Sequence, residues 1–585
     1  MSALPAPGPT IVRRPTAEGG GDWPPGILPV LRRIYASRGV HGLEQARPRL
    51  AGLPSPDTLA GIQQATELLS DAIATGRPIQ VVGDFDCDGA TACAVAIRGL
   101  RMLGATHLWH AVPNRITHGY GLSPSLVDTL AQTGCATPSG LARLLVTVDH
   151  GIACHAGIAA AKARGWSVLV TDHHLPGKSL PPADVIVNPN QRDDAFPAKS
   201  LAGVGVIFYV LLGLRRHLRA LGRLPDPEPD LASLLDLVAV GTVADLVPLD
   251  GHNRALVSAG LRRLRAGHGV PGLQALIDVA GRDRSRLGAS DIGFAIAPRI
   301  NAAGRLEDMA LGIECLLCDE PGRARELAAV LDGINAERRG VQQGMVEEAE
   351  ALAERCSRGL SGSLPSALCL FDADWHPGVV GLVASRLKEA MHRPVVAFAP
   401  SEPGSDQLRG SARSIPGFHI RDALAAVDAA EPGMIGKFGG HAMAAGLSLP
   451  REALPAFEAA LVAHAESVID PGLLQMELLS DGPLEACELD RRHAEALRDG
   501  GPWGQGFPEP LFDGVFEVLA WRPVGTRHLR LDLDSGAGRI AGIHFGGWNG
   551  TPPAPRIRIA YRLQPDDYRG GDAVQLVVVH REDAF

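Results

Sequence analysis

Four short apolar runs, each broken off by polar residues, constrain the fold more than any other feature of this chain. PIQVVGD (78–84), ARLLVTVDHG (142–151), WSVLVTDHH (166–174) and ADVIVNP (183–189) are apolar without alternation. A strand with no in-and-out alternation is covered on both faces, as in parallel sheets flanked by helices. Segments of crossover length, such as SPSLVDTLAQTG and CHAGIAAAKARG, lie between the runs. From residue 27 to about 248 the pattern predicts an α/β unit with a doubly wound parallel sheet.

The polar ends carry the chemistry. Parallel strands deliver their carboxyl ends to one edge, so Asp84, Asp86 and Asp88 in GDFDCDG, Asp149 in TVDHG, Asp172, His173 and His174 in TDHH, and Asp245 in GTVADLVPL are expected on a single rim, with a helix of small residues starting near Thr91. Asp84, Asp86, Asp88 and Gly89 also open like a calcium loop, but its twelfth position needs a bidentate Glu and here holds Val95. Asp86 to Thr91 approaches the signature of aspartate-nucleophile phosphatases with one residue too many. A single Asp at a strand end is ordinarily a helix cap or a turn. Five or six carboxylates packed together repel and raise one another's pKa, so the set implies cations. Oxygen-rich sites with one or two imidazoles suit manganese or magnesium better than zinc. The number of carboxylates fits two ions, and phosphoester hydrolysis is the reaction class that such centres support.

At 585 residues the chain exceeds one core. Residues 319–356 keep helical periodicity far longer than a usual globular helix and read as a connector. A second α/β unit is expected over 357–470, with strands at ALCLFD and PVVAFAP and a Gly-rich turn at GKFGGHAMAAG. Within 471–585, short strand-like runs from about 510 (FEVLAWRPV, HLRLDLD, RIAGIHFGG, RIRIAYRL, AVQLVVVHR) suggest a small OB-type barrel. Residues 1–26 have no apolar core and read as a disordered leader, not a signal peptide, so a cytoplasmic protein is expected. Nine cysteines, an odd number scattered through the chain, read as reduced thiols, and Cys315 and Cys318 as part of a buried helix face and not a zinc site. The net charge of −9 argues against a positively coated binder of duplexes but leaves room for a local basic channel.

VVGDFDCDG, TVDHG, TDHH and GTVADLVPL resemble, in order and spacing, the four motifs of the DHH phosphoesterase superfamily. PRINAAGR (298–305), GKFGGHAMAAG and GPWGQGFPEP (501–510) narrow the resemblance to the RecJ family, bacterial 5′→3′ exonucleases specific for single-stranded DNA, over roughly 27–560. The resemblance implies a DHH catalytic domain with a helical core at 27–318, the connecting helix, a DHH-associated nucleic-acid-binding domain at 357–470 and an OB domain at 471–585. It implies two Mn2+ or Mg2+ ions held by residues drawn from Asp84, Asp86, Asp88, Asp149, His173 and Asp245. Asp172 would be a further ligand or the group that fixes an imidazole, and His174 would contact the scissile phosphate. Arg299, Asn301 and Arg305 would line the DNA path, Ser411 and Arg413 would form a 5′-phosphate pocket, and Gly439, Gly440 and His441 would approach the nucleic acid. His376 and Arg386, and in the barrel Arg527, His528 and Arg530, are further DNA contacts or structural groups. A substrate with a free 5′ end, a RecQ-type helicase, a single-strand-binding protein and a role in recombination and repair follow from the same resemblance.

Two departures stand out: Phe85 and Cys87 replace the common Tyr and small residue, with Cys87 a candidate point of oxidation, and His150 stands where Asn is common. A phosphodiesterase for oligoribonucleotides or cyclic dinucleotides is the competing enzyme, but those relatives usually lack the helical core and the barrel. A silent single-strand-binding scaffold is the non-enzymatic alternative, and it would have lost ligands that are all present here.

Overall fold

The computed structural model describes residues 8–15, 21–114, 118–133, 140–359, 364–536 and 538–584. A short strand, β1 (Thr10–Arg13), precedes the first sheet, whose strands are β2 (Ile79–Val82), β3 (Leu108–Ala111), β4 (Leu144–Val148), β5 (Ser167–Thr171) and β6 (Val185–Val187). All neighbours in it are parallel and the order is β3-β2-β4-β5-β6. Alternate side chains serve two cores. Val81, Leu144, Val146 and Leu169 join the large core with helices Ile62–Thr75, Cys87–Met102 and Gly203–Ala220. Val82, Leu145, Val168 and Val170 pack on helices Pro124–Gln132 and His155–Ala163. Both faces are covered, which is why the runs show no alternation. The chain leaves β2 toward β3 and returns on the other side to β4, so the strand order reverses between β2 and β4, where ligands of such sheets bind.

Two of the expected strand-end acids arise differently. Asp88 lies in the first turn of helix Cys87–Met102, which starts before Thr91 because the Asp86 side chain accepts the Gly89 N–H at 3.0 Å and caps it. Asp245 follows no strand but is the C-cap of helix Leu235–Ala244. That helix is apolar all round and buried, so its run resembles a strand in sequence.

Beyond a helical region the 39-residue helix Pro321–Gly359 leads to the second α/β unit. Its sheet has strands β7 (Leu368–Phe371), β8 (Val395–Pro400), β9 (Gln407–Arg413), β10 (Lys437–Gly440) and β11 (Ala444–Pro450), in the order β10-β11-β9-β8-β7. Only β7 and β8 are parallel, so this sheet is mixed. After β12 (Glu477–Ser480), strands β13 (Phe512–Val524), β14 (His528–Asp534), β15 (Arg539–His544), β16 (Arg556–Pro565) and β17 (Val574–Asp583) close a five-stranded barrel, as the short strand-like runs predict. No helix of the described residues is long and apolar enough to cross a membrane.

The disordered-leader reading of 1–26 needs correction. β1 pairs in parallel with β12, Arg13 forks onto the buried Asp513 of the barrel with both nitrogens at 2.9 Å, and Trp23 stacks on Tyr35 at 5.6 Å. A composition rich in Pro and Gly hid a segment that gains its order from backbone pairing and ion pairs. Residues 1–7 and 16–20 lie outside the described residues.

Candidate metal centre and nucleic-acid path

The acids converge because glycines let backbone and side chains approach closely. A Cβ on Gly89 would stand 2.5 Å from the Asp84 amide nitrogen, so only glycine lets the helix start against the end of β2. Asp88 Oδ2 accepts the Gly203 N–H at 2.7 Å and its Oδ1 the Val204 N–H at 3.1 Å, at the positive end of helix Gly203–Ala220. A Cβ on Gly203 would stand 2.4 Å from Asp149 Cβ. Asp149 has φ of 64°, a left-handed conformation that Asp tolerates better than most residues, and it turns the carboxylate under the sheet edge.

His173 Nε2 lies 3.2 Å from Asp149 Oδ1 and 3.5 Å from Asp245 Oδ2. Asp172 is committed elsewhere: Oδ2 accepts the Ile152 N–H at 2.9 Å, and Oδ1 accepts the His173 N–H and the His174 Nδ1–H, both at 2.7 Å. Among the described residues, three sets bring their donor atoms within 4.8 Å of one another: Asp84, Asp86 and Asp149; Asp88, His173 and Asp245; and Asp149, His173 and His174. Asp149 and His173 each serve two sets, so the geometry describes adjoining cation positions. Asp149 Oδ1 and His173 Nε2 are buried, and neither atom has a hydrogen-bond partner among the described residues. Orphaned buried acceptors in an oxygen-rich donor set are what Mn2+ or Mg2+ would satisfy.

The electrostatics agree. Burial, then the charge of Asp86, pushes the Asp88 carboxyl up to about 7 against the two amides that hold it. Burial and the neighbouring acids likewise raise Asp149 and Asp245 well above the usual carboxylate range. Burial lowers His173 to about 4, leaving the neutral imidazole that binds metal. Burial opposes charge on His174 too, but the Asp172 hydrogen bond and carboxylate outweigh it and push the imidazole up to about 9. The rim thus holds a neutral imidazole beside a cationic one.

The sequence departures are structural. Burial and the flanking acids raise the Cys87 thiol well above its ordinary value, so the expected sensitivity to oxidation is not supported. Buried His150 donates from Nε2 to the Val82 carbonyl at 3.0 Å and braces β2 against the Asp149 turn. Cys315 is buried on helix Ala310–Leu317, as expected, whereas Cys318 is the extended C-cap of that helix, only partly buried, and donates to the Glu320 carbonyl at 3.3 Å.

The expected DNA-path residues separate into two kinds. Arg299 is buried, donating to the Ala295 carbonyl at 2.5 Å and paired with Asp332 at 2.8 Å, so the expectation that it lines the path is corrected. Asn301 turns its side-chain oxygen to the Cys87 N–H at 2.8 Å and supports the acidic loop. Arg305 reaches the Gly378 carbonyl at 3.4 Å, at the border with the second unit. There Arg413 donates to Ser385 Oγ at 3.1 Å and to Ser411 Oγ at 3.0 Å, beside the start of helix Val380–Met391. A Cβ on Gly381 would meet both Arg413 Nη2 and Ser411 Oγ at 3.0 Å, so glycine leaves room for the guanidinium and hydroxyl beside the helix start. His376 accepts the Gly378 N–H at 3.1 Å as a turn residue, and Arg386 faces Glu389 on the surface.

The turn after β10 crosses to the first unit. Gly440 has φ of 143°, and the His441 ring lies parallel to His174, 18° between planes, with centroids 6.3 Å apart. Tyr120, which sequence reasoning passed over, completes this cleft: its hydroxyl is 3.4 Å from His174 Nε2 and its ring meets Phe85 edge to face. The signal was HGYGLS, an aromatic between Gly119 and Gly121, both with positive φ. In the barrel, Trp521 and Trp548 stack at 5.5 Å. Nearby, Arg527 faces Glu347 of the long helix at 3.6 Å and His528 accepts the Gly546 N–H at 3.0 Å, while Arg530 pairs across the sheet with Arg522.

Comparisons with known proteins agree with this architecture. The DHH family N-terminal domain matches residues 78–242, the DHHA1 domain 364–467 and the RecJ OB domain 480–580. The single-stranded-DNA-specific exonucleases RecJ of Salmonella typhimurium and Escherichia coli are each 48% identical to the chain, covering 97% of it and 98% of their own length. Crystallised RecJ from Thermus thermophilus in complex with Mn2+ superposes with a TM-score of 0.78 at 32% identity, over 96% of this chain and 76% of that one. By sequence over its whole length and by fold, the chain belongs to the RecJ family.

Proposed function

We propose that this protein is a metal-dependent exodeoxyribonuclease that degrades single-stranded DNA from the 5′ end and releases 5′-mononucleotides, acting in recombination and repair. The observation that carries the reading is the meeting of an acidic, cation-demanding rim with the His441 turn of a second unit that also holds Arg413. Asp84, Asp86, Asp88, Asp149, His173 and Asp245 hold the cations, Mn2+ or Mg2+. When bound, the ions supply a water of lowered pKa and offset charge on the phosphate oxygens. His174, kept cationic by Asp172, donates to a non-bridging oxygen of the scissile phosphate. Tyr120 limits how that imidazole can turn.

Ser411, Arg413 and the first amides of helix Val380–Met391 suit a terminal phosphate dianion. A terminal pocket set apart from the cation centre would meter out single nucleotides. Gly439, Gly440 and His441 bring backbone and imidazole donors to the strand between these points. The His441 turn of the second unit closes over His174, with ring centroids 6.3 Å apart, an approach that suits one strand better than a duplex. Trp521 and Trp548, with Arg530, offer the barrel's stacking and charge to the trailing strand. Single strands with 5′ ends arise by unwinding, so a RecQ-type helicase and a single-strand-binding protein in the cytoplasm are the partners this reading calls for.

The test is digestion, with Mn2+, of a 5′-labelled strand, the same strand labelled at its 3′ end, and an annealed blunt duplex. Early release of labelled mononucleotide from the 5′ label alone, with the duplex spared, is expected. Early release from the 3′ label would reverse the polarity, and preferential turnover of a cyclic dinucleotide would replace the assignment.

A further inference from the structure

GPWGQGFPEP, at 501–510, lies far along the chain from the acidic motifs and touches none of the candidate ligands, yet it grips the segment that follows one of them. The Leu249 N–H donates to the Gln505 carbonyl at 2.7 Å. A Cβ on Gly504 would press to 2.7 Å of Leu249 Cδ1, and one on Gly506 to 3.3 Å of Pro248 Cβ. The grip is backed by an aromatic stack: Trp503 on Phe507 at 5.0 Å, with Tyr35 at 6.1 and 6.3 Å from those two rings. The Arg254 guanidinium stands 3.9 Å over Phe507, and the Tyr35 hydroxyl donates to the Gly500 carbonyl at 2.8 Å.

Between this clasp and Asp245 lie Leu246, Val247 and Pro248, and Leu246 has φ of 61°. A left-handed Leu is costly and persists only where its surroundings hold it. The same stretch is tied to the other side of the rim: Asn253 Nδ2 donates to the Pro248 carbonyl at 2.9 Å and to the Ser200 carbonyl at 2.6 Å, just ahead of the Gly203 and Val204 amides that hold Asp88.

We propose that the aromatic clasp at 503–507 is a positioning device for the cation centre: by holding Pro248–Leu249 it aims Asp245, and through Asn253 it steadies the Gly203 turn. Phe507 and Gly504 are positioning residues whose role is divalent-cation affinity, although they contact neither ion nor DNA. Seating of the segment that leads into the barrel is thereby coupled to how tightly the first unit binds metal. This rests on the cation reading of the acidic rim.

Manganese binding to the metal-stripped full-length protein tests it, by calorimetry and by turnover against Mn2+ concentration. Phe507→Leu and Gly504→Ala are expected to raise the half-saturating Mn2+ concentration at least about fivefold, as supporting groups of metal ligands do, with kcat at saturating Mn2+ within about twofold. Phe516→Leu, in the barrel core, should lower Tm without moving Mn2+ affinity, which separates positioning from general loosening. Clasp variants that bind Mn2+ like wild type overturn the proposal. Linkage provides a check that needs no variant: if the clasp favours metal, metal must favour the clasp. Hydrogen exchange of the wild-type protein should then slow on adding Mn2+ both around 84–89 and around 500–509. Slowing at 84–89 alone refutes the clasp and leaves the cation centre standing, whereas slowing at neither refutes the cation reading itself.

Discussion

The acidic rim of the first unit and the Arg413 cluster of the second, which the proposed function assigns to the two ends of one nucleotide, are built in opposite ways. At the rim the charged atoms are buried, like-signed and positioned by backbone: Gly89 against Asp84, Gly203 against Asp149, amides onto Asp88. In the second unit, a half-buried guanidinium is held by two serine hydroxyls and the Ala412 carbonyl beside the opening of a helix. A buried cluster of one sign is stable only with ions of the other sign, whereas an arginine fork among neutral hydroxyls takes on an anion at little cost. The rim should therefore fail outright when altered, and the pocket should only lose preference.

The largest effect is expected at Asp149, which serves two of the three donor sets. Asp149→Ala should lower turnover by more than about 100-fold, beyond what loss of a ligand-supporting group costs, while gel-shift binding of single strands persists. Turnover near wild type would mean that the rim is not the reacting centre. Asn301→Ala comes next. It leaves the Cys87 amide without its acceptor, which should weaken Mn2+ binding about 10-fold and lower Tm, with activity returning at high Mn2+.

Acidity acts on the same site with a definite sign. The Asp88 carboxyl, pushed up to about 7, sits above its unfolded value near 4, so the folded, metal-free protein holds the extra proton. Metal-free stability should fall as pH rises through that window and then level off. Cations displace the proton, so Mn2+ affinity should drop about tenfold between pH 8 and pH 6, with proton release measurable by calorimetry in buffers of different ionisation heat. Smallest is the pocket. Arg413→Ala should reduce preference for a 5′-phosphorylated over a 5′-hydroxyl end about fivefold, roughly 1 kcal/mol, with Mn2+ affinity unchanged. An unchanged preference in the variant would mean that the pocket lies elsewhere.

Much of this was legible in the chain, because local rules and global fold agree there. The continuous apolar runs report a sheet covered on both faces, and the acids that follow them report its functional edge. What escaped had physical reasons. Asp245 follows a buried helix whose apolar run imitates a strand, and Asp88 belongs to a helix started early by Asp86. Arg299 and Asn301 carry polar side chains that face inward to Asp332 and Cys87, a choice made by tertiary packing that no spacing records. The strand at Thr10–Arg13 exists only because β12 offers it an edge. Tyr120 is a lone aromatic whose meaning comes from His174, brought beside it by another part of the chain.

On this reading the rim is a cation centre shared by two adjoining positions. Diffraction from crystals soaked in Mn2+, at the manganese absorption edge, tests it most directly. Two anomalous peaks are predicted, both among Asp84, Asp86, Asp88, Asp149, His173 and Asp245, with none at Arg413. Strong manganese density elsewhere, with those carboxylates unliganded, would contradict the account.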